Sequence, residues 1–281
     1  MRRIERRTFL KALGGLAGAV AVGVAISKHV FRPEDTLELS TLARYVDPLP
    51  IPKIMQPTEP GGTYYEVTMT QFKQKLHSQL PPTTLWGYNG TYPGPTFETR
   101  TGTPIHVKWI NHLPTTHLLA NSIDHTIHGA ESTEPEVRNV VHLHGGLVSP
   151  ASDGYPEAWF PPGESATYYY PNEQPAATLW YHDHTLGITR SNIVAGLAGL
   201  YLIHDSVEDG LNLPKKEYEI PLLIQDCTFN TDGSLFYPTK GEDDPEAPPV
   251  WVPEFFGNTI LVNGKSGLFL RWNRESTDSG S

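Results

Sequence analysis

The sequence holds one cysteine, Cys227, among 281 residues. An intramolecular disulfide needs two, so no disulfide framework supports this fold, and cysteine usage carries no information about compartment. Basic residues are also scarce, with 21 Lys and Arg against 31 Asp and Glu, a net charge of −10. Nucleic-acid binding draws most of its affinity from cations that neutralise phosphates, so an acidic chain of this kind is expected to have no nucleic-acid partner. Long apolar runs are missing too. The weakly apolar stretch from Ala12 to Ile26 covers 15 residues, rich in Gly and Ala, short of the ~20 needed to cross a bilayer.

What is present points elsewhere. Charged residues make up 19% of the chain, and 25 Gly and 26 Pro supply turn formers in nearly the same share. That balance favours many short strands joined by turns over a helical bundle, so the expected class is all-β. Arg6 and Arg7, followed by Thr8, Phe9, Leu10, Lys11 and the soft apolar run, read as a twin-arginine export signal over residues 1–30. The chain is therefore expected in the periplasm or outside the cell, with a membrane involved only if the signal stays uncleaved. The twin-arginine route carries folded, often cofactor-loaded passengers, which favours a metalloprotein. Removing residues 1–30 takes away six basic side chains and one acidic one, leaving a net charge of −15. Such a field attracts cations.

Strand signals recur along the rest. The stretch from Tyr64 to Phe72 alternates with period two, as a half-buried strand does. Similar signals cover Pro104 to Leu113, Val137 to Leu147, Ala166 to Tyr170, Thr178 to His184, Leu197 to His204 and Tyr218 to Phe229. Turn clusters separate them, among them Asn89-Gly90, Pro93-Gly94-Pro95 and Ser152-Asp153-Gly154. Asn121 to Arg138 is polar and without period, and reads as a long surface loop. A composition break between Val207 and Lys216 sets the expected boundary between a first domain, 31–206, and a second unit, 207–281.

The chemistry lies in two short motifs, His142-Leu143-His144-Gly145-Gly146 and Trp180-Tyr181-His182-Asp183-His184. Side chains alternate faces along a strand, so each His-x-His puts both imidazoles on one side, about 6–7 Å apart. Neutral imidazole ligates copper, zinc, iron and nickel, with affinity highest at copper among the divalent ions. Two such motifs 40 residues apart, each in a strand-like run, point to one shared metal site. A strand-borne His-x-His with a third histidine also builds mononuclear zinc enzymes with an open coordination position, so zinc remains an alternative here. His125 and His128 fall in the polar loop. His77, His106, His112 and His117 have no partner at strand spacing, His204 ends a strand, and Cys227 reads as a buried small hydrophobe.

Several segments carry a family resemblance: Leu85-Trp86-Gly87-Tyr88-Asn89-Gly90, Pro93-Gly94-Pro95-Thr96, Val141 to Gly146, Ser152 to Phe160, and Leu179 to His184. They resemble the N-terminal domain of the multicopper oxidases, most nearly the bacterial spore-coat laccase and bilirubin oxidase branch, from about Leu42 to Lys265. The resemblance implies a cupredoxin fold, a Greek-key β-sandwich repeated three times in full-length members. It implies that His142 binds the type 2 copper and that His144, His182 and His184 serve the type 3 pair. Asp153 matches the family's proton-delivering Asp. Before Gly154 it is equally suited to forming a turn.

The implied activity is one-electron oxidation of phenolic or pigment substrates coupled to reduction of O2 to water. This chain departs from the pattern. The family gathers eight histidines around its cluster, and only the first four are here, with no His-Cys-His segment for a type 1 copper. The 281 residues alone are therefore expected to be inactive. Two readings follow: a fragment of a laccase-like oxidase, or a non-catalytic exported copper-binding module. Strand patterning is expected to stop near Lys265, with Ser266 to Ser281 a patternless tail and the natural reading frame longer.

Overall fold

In the computed structural model the described residues are 36–38, 41–214, 218–238 and 255–270. Residues 1–30, where a twin-arginine signal is expected, and the last eleven residues lie outside them. After a two-residue strand, β1 (Asp47–Pro48), the chain builds β2 (Tyr64–Gln74), β3 (Thr83–Tyr88), β4 (Gly94–Arg100), β5 (Ile105–His112), β6 (Val141–His144), β7 (Ser165–Tyr170), β8 (Ala177–Asp183) and β9 (Ala198–His204). They form two four-stranded sheets, ordered β3-β2-β5-β7 and β4-β9-β8-β6. The period-two pattern read in β2 is real, with Tyr65, Val67 and Met69 buried and Tyr64 and Glu66 exposed.

Between the sheets lies an aromatic core that includes Trp86, Tyr88, Phe97, Trp109, Tyr181 and Tyr201. Rings meet edge-on, Tyr88 with Tyr181 at 5.0 Å and Phe97 with Tyr181 at 5.5 Å between centroids, the arrangement their quadrupoles favour. Tyr181 fits because Gly94 and Gly199 face each other across β4 and β9. A Cβ on Gly199 would lie 2.3 Å from the Tyr181 ring, and one on Gly94 would lie 2.5 Å from its hydroxyl. That hydroxyl donates to the Pro95 carbonyl at 2.7 Å.

Several readings need correction, and of the Tyr218 to Phe229 signal only Ile224–Phe229 is strand. The Pro93-Gly94-Pro95 turn signal hides the start of β4, and β3 carries no alternation to announce it. β4 tolerates Pro95 because it is an edge strand whose register slips between Gly94 and Phe97, where a missing N–H breaks no ladder. Val137 to Leu147 is strand only over β6, since Gly145 at φ +88° turns the chain away. The polar stretch from Asn121 to Arg138 lacks strands but is not merely a surface loop. Ser122, Asp124, Ala130, Val137 and Arg138 are buried, and Arg138 donates to the carbonyls of Pro135, Gly129 and Leu186. Satisfying its own polar groups is what lets this segment pack inward.

Two α-helices occur among the described residues, α1 (Thr189–Ala195) and α2 (Ser206–Gly210), the second capped by Asp205 accepting from the Glu208 N–H at 2.8 Å. Beyond them β10 (Ile224–Phe229), β11 (Leu235–Phe236) and β12 (Thr259–Val262) form a sheet ordered β11-β10-β12, and β13 (Leu268–Phe269) pairs in parallel with β1. This pairing corrects the expectation of a patternless stretch from Ser266. The Ser266 N–H donates to the Leu76 carbonyl at 3.0 Å, and the side chain is buried. Its partners are some 190–220 residues away in sequence, so no local signal marks it. Cys227 is buried as expected, in a second core where Phe229, Leu235 and Leu261 pack with Leu76, Leu85 and Tyr92.

Candidate metal centre

β6 and β8 run antiparallel and pair His142 with His182, Leu143 with Tyr181, and His144 with Trp180. Leu143 and Tyr181 point into the core. By the period of two, His142, His144, His182 and Trp180 therefore share the opposite face. His184 follows directly after β8, where its N–H donates to the Val140 carbonyl at 2.8 Å. The 40-residue separation of the two motifs disappears in the ladder.

The four imidazoles form one group. Ring centroids lie 5.5 Å apart for His142 and His144, 5.6 Å for His142 and His182, 5.1 Å for His142 and His184, 5.6 Å for His144 and His182, and 5.6 Å for His182 and His184. Ring nitrogens of His142, His144 and His182 all fall within 4.8 Å of one another. Hydrogen bonds to the backbone orient two rings. His142 Nδ1 donates to the Asp153 carbonyl at 2.5 Å, and His182 Nδ1 to the Asp183 carbonyl at 2.6 Å. Each bond fixes the tautomer that leaves Nε2 with a free lone pair. His182 Nε2 then lies 3.4 Å from His144 Nδ1. His184 Nδ1 is buried with no hydrogen-bond partner among the described residues. An orphaned imidazole nitrogen beside three convergent ones suits a bound cation.

Electrostatics favour the neutral rings that ligation needs. Burial, with added repulsion from His142, His184 and His144, lowers the His182 pKa to about 4. Burial and His142 also lower that of His184, with Asp153 pulling the other way. The Asp153 carboxylate, about half exposed, stands 3.4 Å from His142 Nδ1. Asp153 therefore meets the site through both its carbonyl and its side chain, and it also turns the chain, since Gly154 has φ +77° and a Cβ there would come within 2.2 Å of the Val141 carbonyl.

Two residues of the second motif escaped the sequence reading. Trp180 lies against two of the rings. Asp183, fully buried, accepts from Asn139 Nδ2 (3.1 Å), the Val140 N–H (3.3 Å), the Thr185 N–H (3.1 Å), Thr185 Oγ1 (2.9 Å) and Asn192 Nδ2 (2.9 Å). The only available signal was their position between and beside the histidines. The other histidines behave as read. His77 and His117 are buried and hydrogen-bonded, to the Ala43 carbonyl at 2.9 Å and to Asn192 Oδ1 at 2.8 Å. His204, Glu208 and Glu219 also bring donor atoms within 4.8 Å, but His204 Nδ1 is engaged by Glu208 at 2.8 Å.

A cupredoxin-like β-sandwich carrying four converging imidazoles on and beside adjacent strands defines a metalloprotein domain. Residues 66–208 match the multicopper oxidase family, and the chain belongs to that family. It is 54% identical over 244 residues to a laccase of Bacillus subtilis (strain 168), covering 82% of this chain and 47% of the relative. It is 42% identical over 282 residues to a laccase of Haloferax volcanii, covering 92% and 45%. The crystal structure of a laccase from Pediococcus acidilactici Pa5930 superposes with a TM-score of 0.62 at 28% identity, over 81% of this chain and 44% of the other. The chain spans about half the length of the curated relatives it matches.

Proposed function

We propose that this chain supplies the first-domain half of a laccase-type copper centre, with His142 for the type 2 copper and His144, His182 and His184 for the type 3 pair. Copper is the family's metal. The observation that carries the reading is the group of four imidazoles, two with Nε2 freed by backbone hydrogen bonds and one with a buried nitrogen lacking a partner. Bound copper would supply the one-electron steps by which phenolic or pigment substrates are oxidised and O2 is reduced to water. The residues present hold neutral lone pairs in place, and Asp153 offers a solvent-reaching carboxylate beside His142 for proton delivery. Export through a twin-arginine signal at residues 1–30, and a second cupredoxin unit from about residue 207, belong to the same reading.

The test is a copper(II) titration of the purified 281-residue chain against a competing chelator. The wild type is expected to bind, and the double substitution His142→Ala with His182→Ala to weaken binding about 10–100-fold, at least the loss that removing an outer-shell partner causes. Unchanged affinity in the double variant refutes the assignment.

The copper-loaded chain is further expected to show no intense blue thiolate-to-copper absorption and no oxidation of phenolic dyes. A type 1 site needs two histidines beside the thiolate. Cys227 instead sits in an apolar core, where burial, helped by Asp226, pushes its thiol well above the usual range. Absorption spectra of the wild type and Cys227→Ser check this, and a blue band lost in the variant would contradict it.

A further inference from the structure

We infer that Trp180 is a positioning residue, a flat plate that fixes the ring planes of His144 and His182 before any metal arrives. The inference rests on the copper reading of the same face for its purpose, and on independent geometry for its substance.

Trp180 precedes His182 by two residues on β8 and pairs directly with His144 on β6, so the ladder delivers its indole to the ligand face next to both. The ring is nearly parallel to each imidazole. It lies 4.0 Å from His182 with 24° between planes, and 5.3 Å from His144 with 23° between planes. One side chain thus stacks on two of the four rings.

The four histidines differ in what else restrains them. The His142 and His182 rings are held by hydrogen bonds to backbone carbonyls, whereas the His184 ring has its Nδ1 buried without a partner among the described residues, and its tie to Val140 runs through the backbone N–H. His144 is exposed, and the one ring-nitrogen contact it makes among the described residues is the 3.4 Å approach to His182, itself another ring. Rotation about the second side-chain torsion of histidine is broad and roughly two-fold. A ligand nitrogen, however, must direct its lone pair within the ring plane. Stacking on Trp180 is the contact that restricts that rotation for His144, and it holds the ring with Nδ1 3.4 Å from His182 Nε2, the two imidazole planes 41° apart. Gly145, directly after His144, has φ +88°, so the backbone there adds no side chain that could take over the task.

The experiment compares the 281-residue wild-type chain, Trp180→Phe and Trp180→Leu. Copper(II) affinity is measured by chelator competition, the imidazole 15N resonances of the metal-free chain are recorded, and thermal unfolding is followed. Phe keeps a plate, and Leu keeps apolar bulk without one. Trp180→Leu is expected to lose about 10-fold in copper affinity, the scale of two aromatic stacking contacts, and to broaden or shift the His144 ring signals. Trp180→Phe should stay within about 3-fold of wild type, with thermal midpoints of the two variants alike. The inference is overturned if Trp180→Leu matches wild type in affinity and ring signals, or if Phe and Leu lose affinity equally. A wild type that binds no copper would instead overturn the copper reading. The ring signals of the metal-free variants would then still decide whether Trp180 orders His144.

Discussion

Replacing Asp183 by alanine is expected to destabilise the folded chain by about 3–5 kcal/mol, enough to leave a marginal domain largely unfolded. The carboxylate is fully buried and accepts from five donors on four residues, each of which costs about 1–3 kcal/mol when left unsatisfied, less where water or relaxation reaches it. Through Asn192, which also bonds His117, and Asn139, which also bonds Asn111, the loss reaches α1 and β5. Asp183→Asn keeps an acceptor but turns an amide N–H toward donors, so its cost should be intermediate. Urea unfolding of the metal-free proteins measures both. Burial raises the Asp183 pKa from 3.8 to about 6, against the downward pull of Asn192, Thr185 and Asn139. A carboxyl with a raised folded-state pKa contributes most stability below the unfolded value. That contribution declines as pH rises from about 4 to about 6, because there the folded chain holds a proton that the unfolded chain has released. The alanine variant should lack this slope, and identical slopes with and without Asp183 would contradict the assignment.

Tyr181→Ala is the second large effect, expected at about 3–5 kcal/mol from lost burial and the cavity left behind. The side chain is 1% exposed and fills the slot between Gly94 and Gly199. Tyr181→Phe is the control. It keeps the ring and loses the hydroxyl bond to the Pro95 carbonyl, for about 1 kcal/mol. Tyr181 lies between Trp180 and His182 in sequence and anchors β8 from the core side. The alanine variant should therefore also bind copper more weakly at temperatures where it remains folded. Calorimetry with a copper titration at low temperature checks both, and a loss below about 1 kcal/mol would mean that the slot collapses around the gap.

Much of the site was legible early because it depends on a local property. Two His-x-His motifs in strand-like runs place each pair of rings on one face whatever the rest of the chain does, and Tyr64 to Phe72 showed its strand by the same alternation. β3 and β4 were missed because Trp86, Gly87 and Tyr88 do not alternate and Pro93-Gly94-Pro95 carries a turn signal, which pairing with β9, through a register slip between Gly94 and Phe97, overrides. The buried parts of Asn121 to Arg138 were missed because polar composition does not reveal that Arg138 finds three carbonyls inside.

By itself the sequence determined which residues could ligate, that they alternate on strands, and that the chain resembles the multicopper oxidases. The tertiary structure decided the rest. It set His142 against His182 and Trp180 against His144, gathered five donors on Asp183, and joined β13 to β1 across the length of the chain. Alternation is a property of the backbone over a few residues, whereas register and the partners of buried polar groups exist only once distant strands have paired.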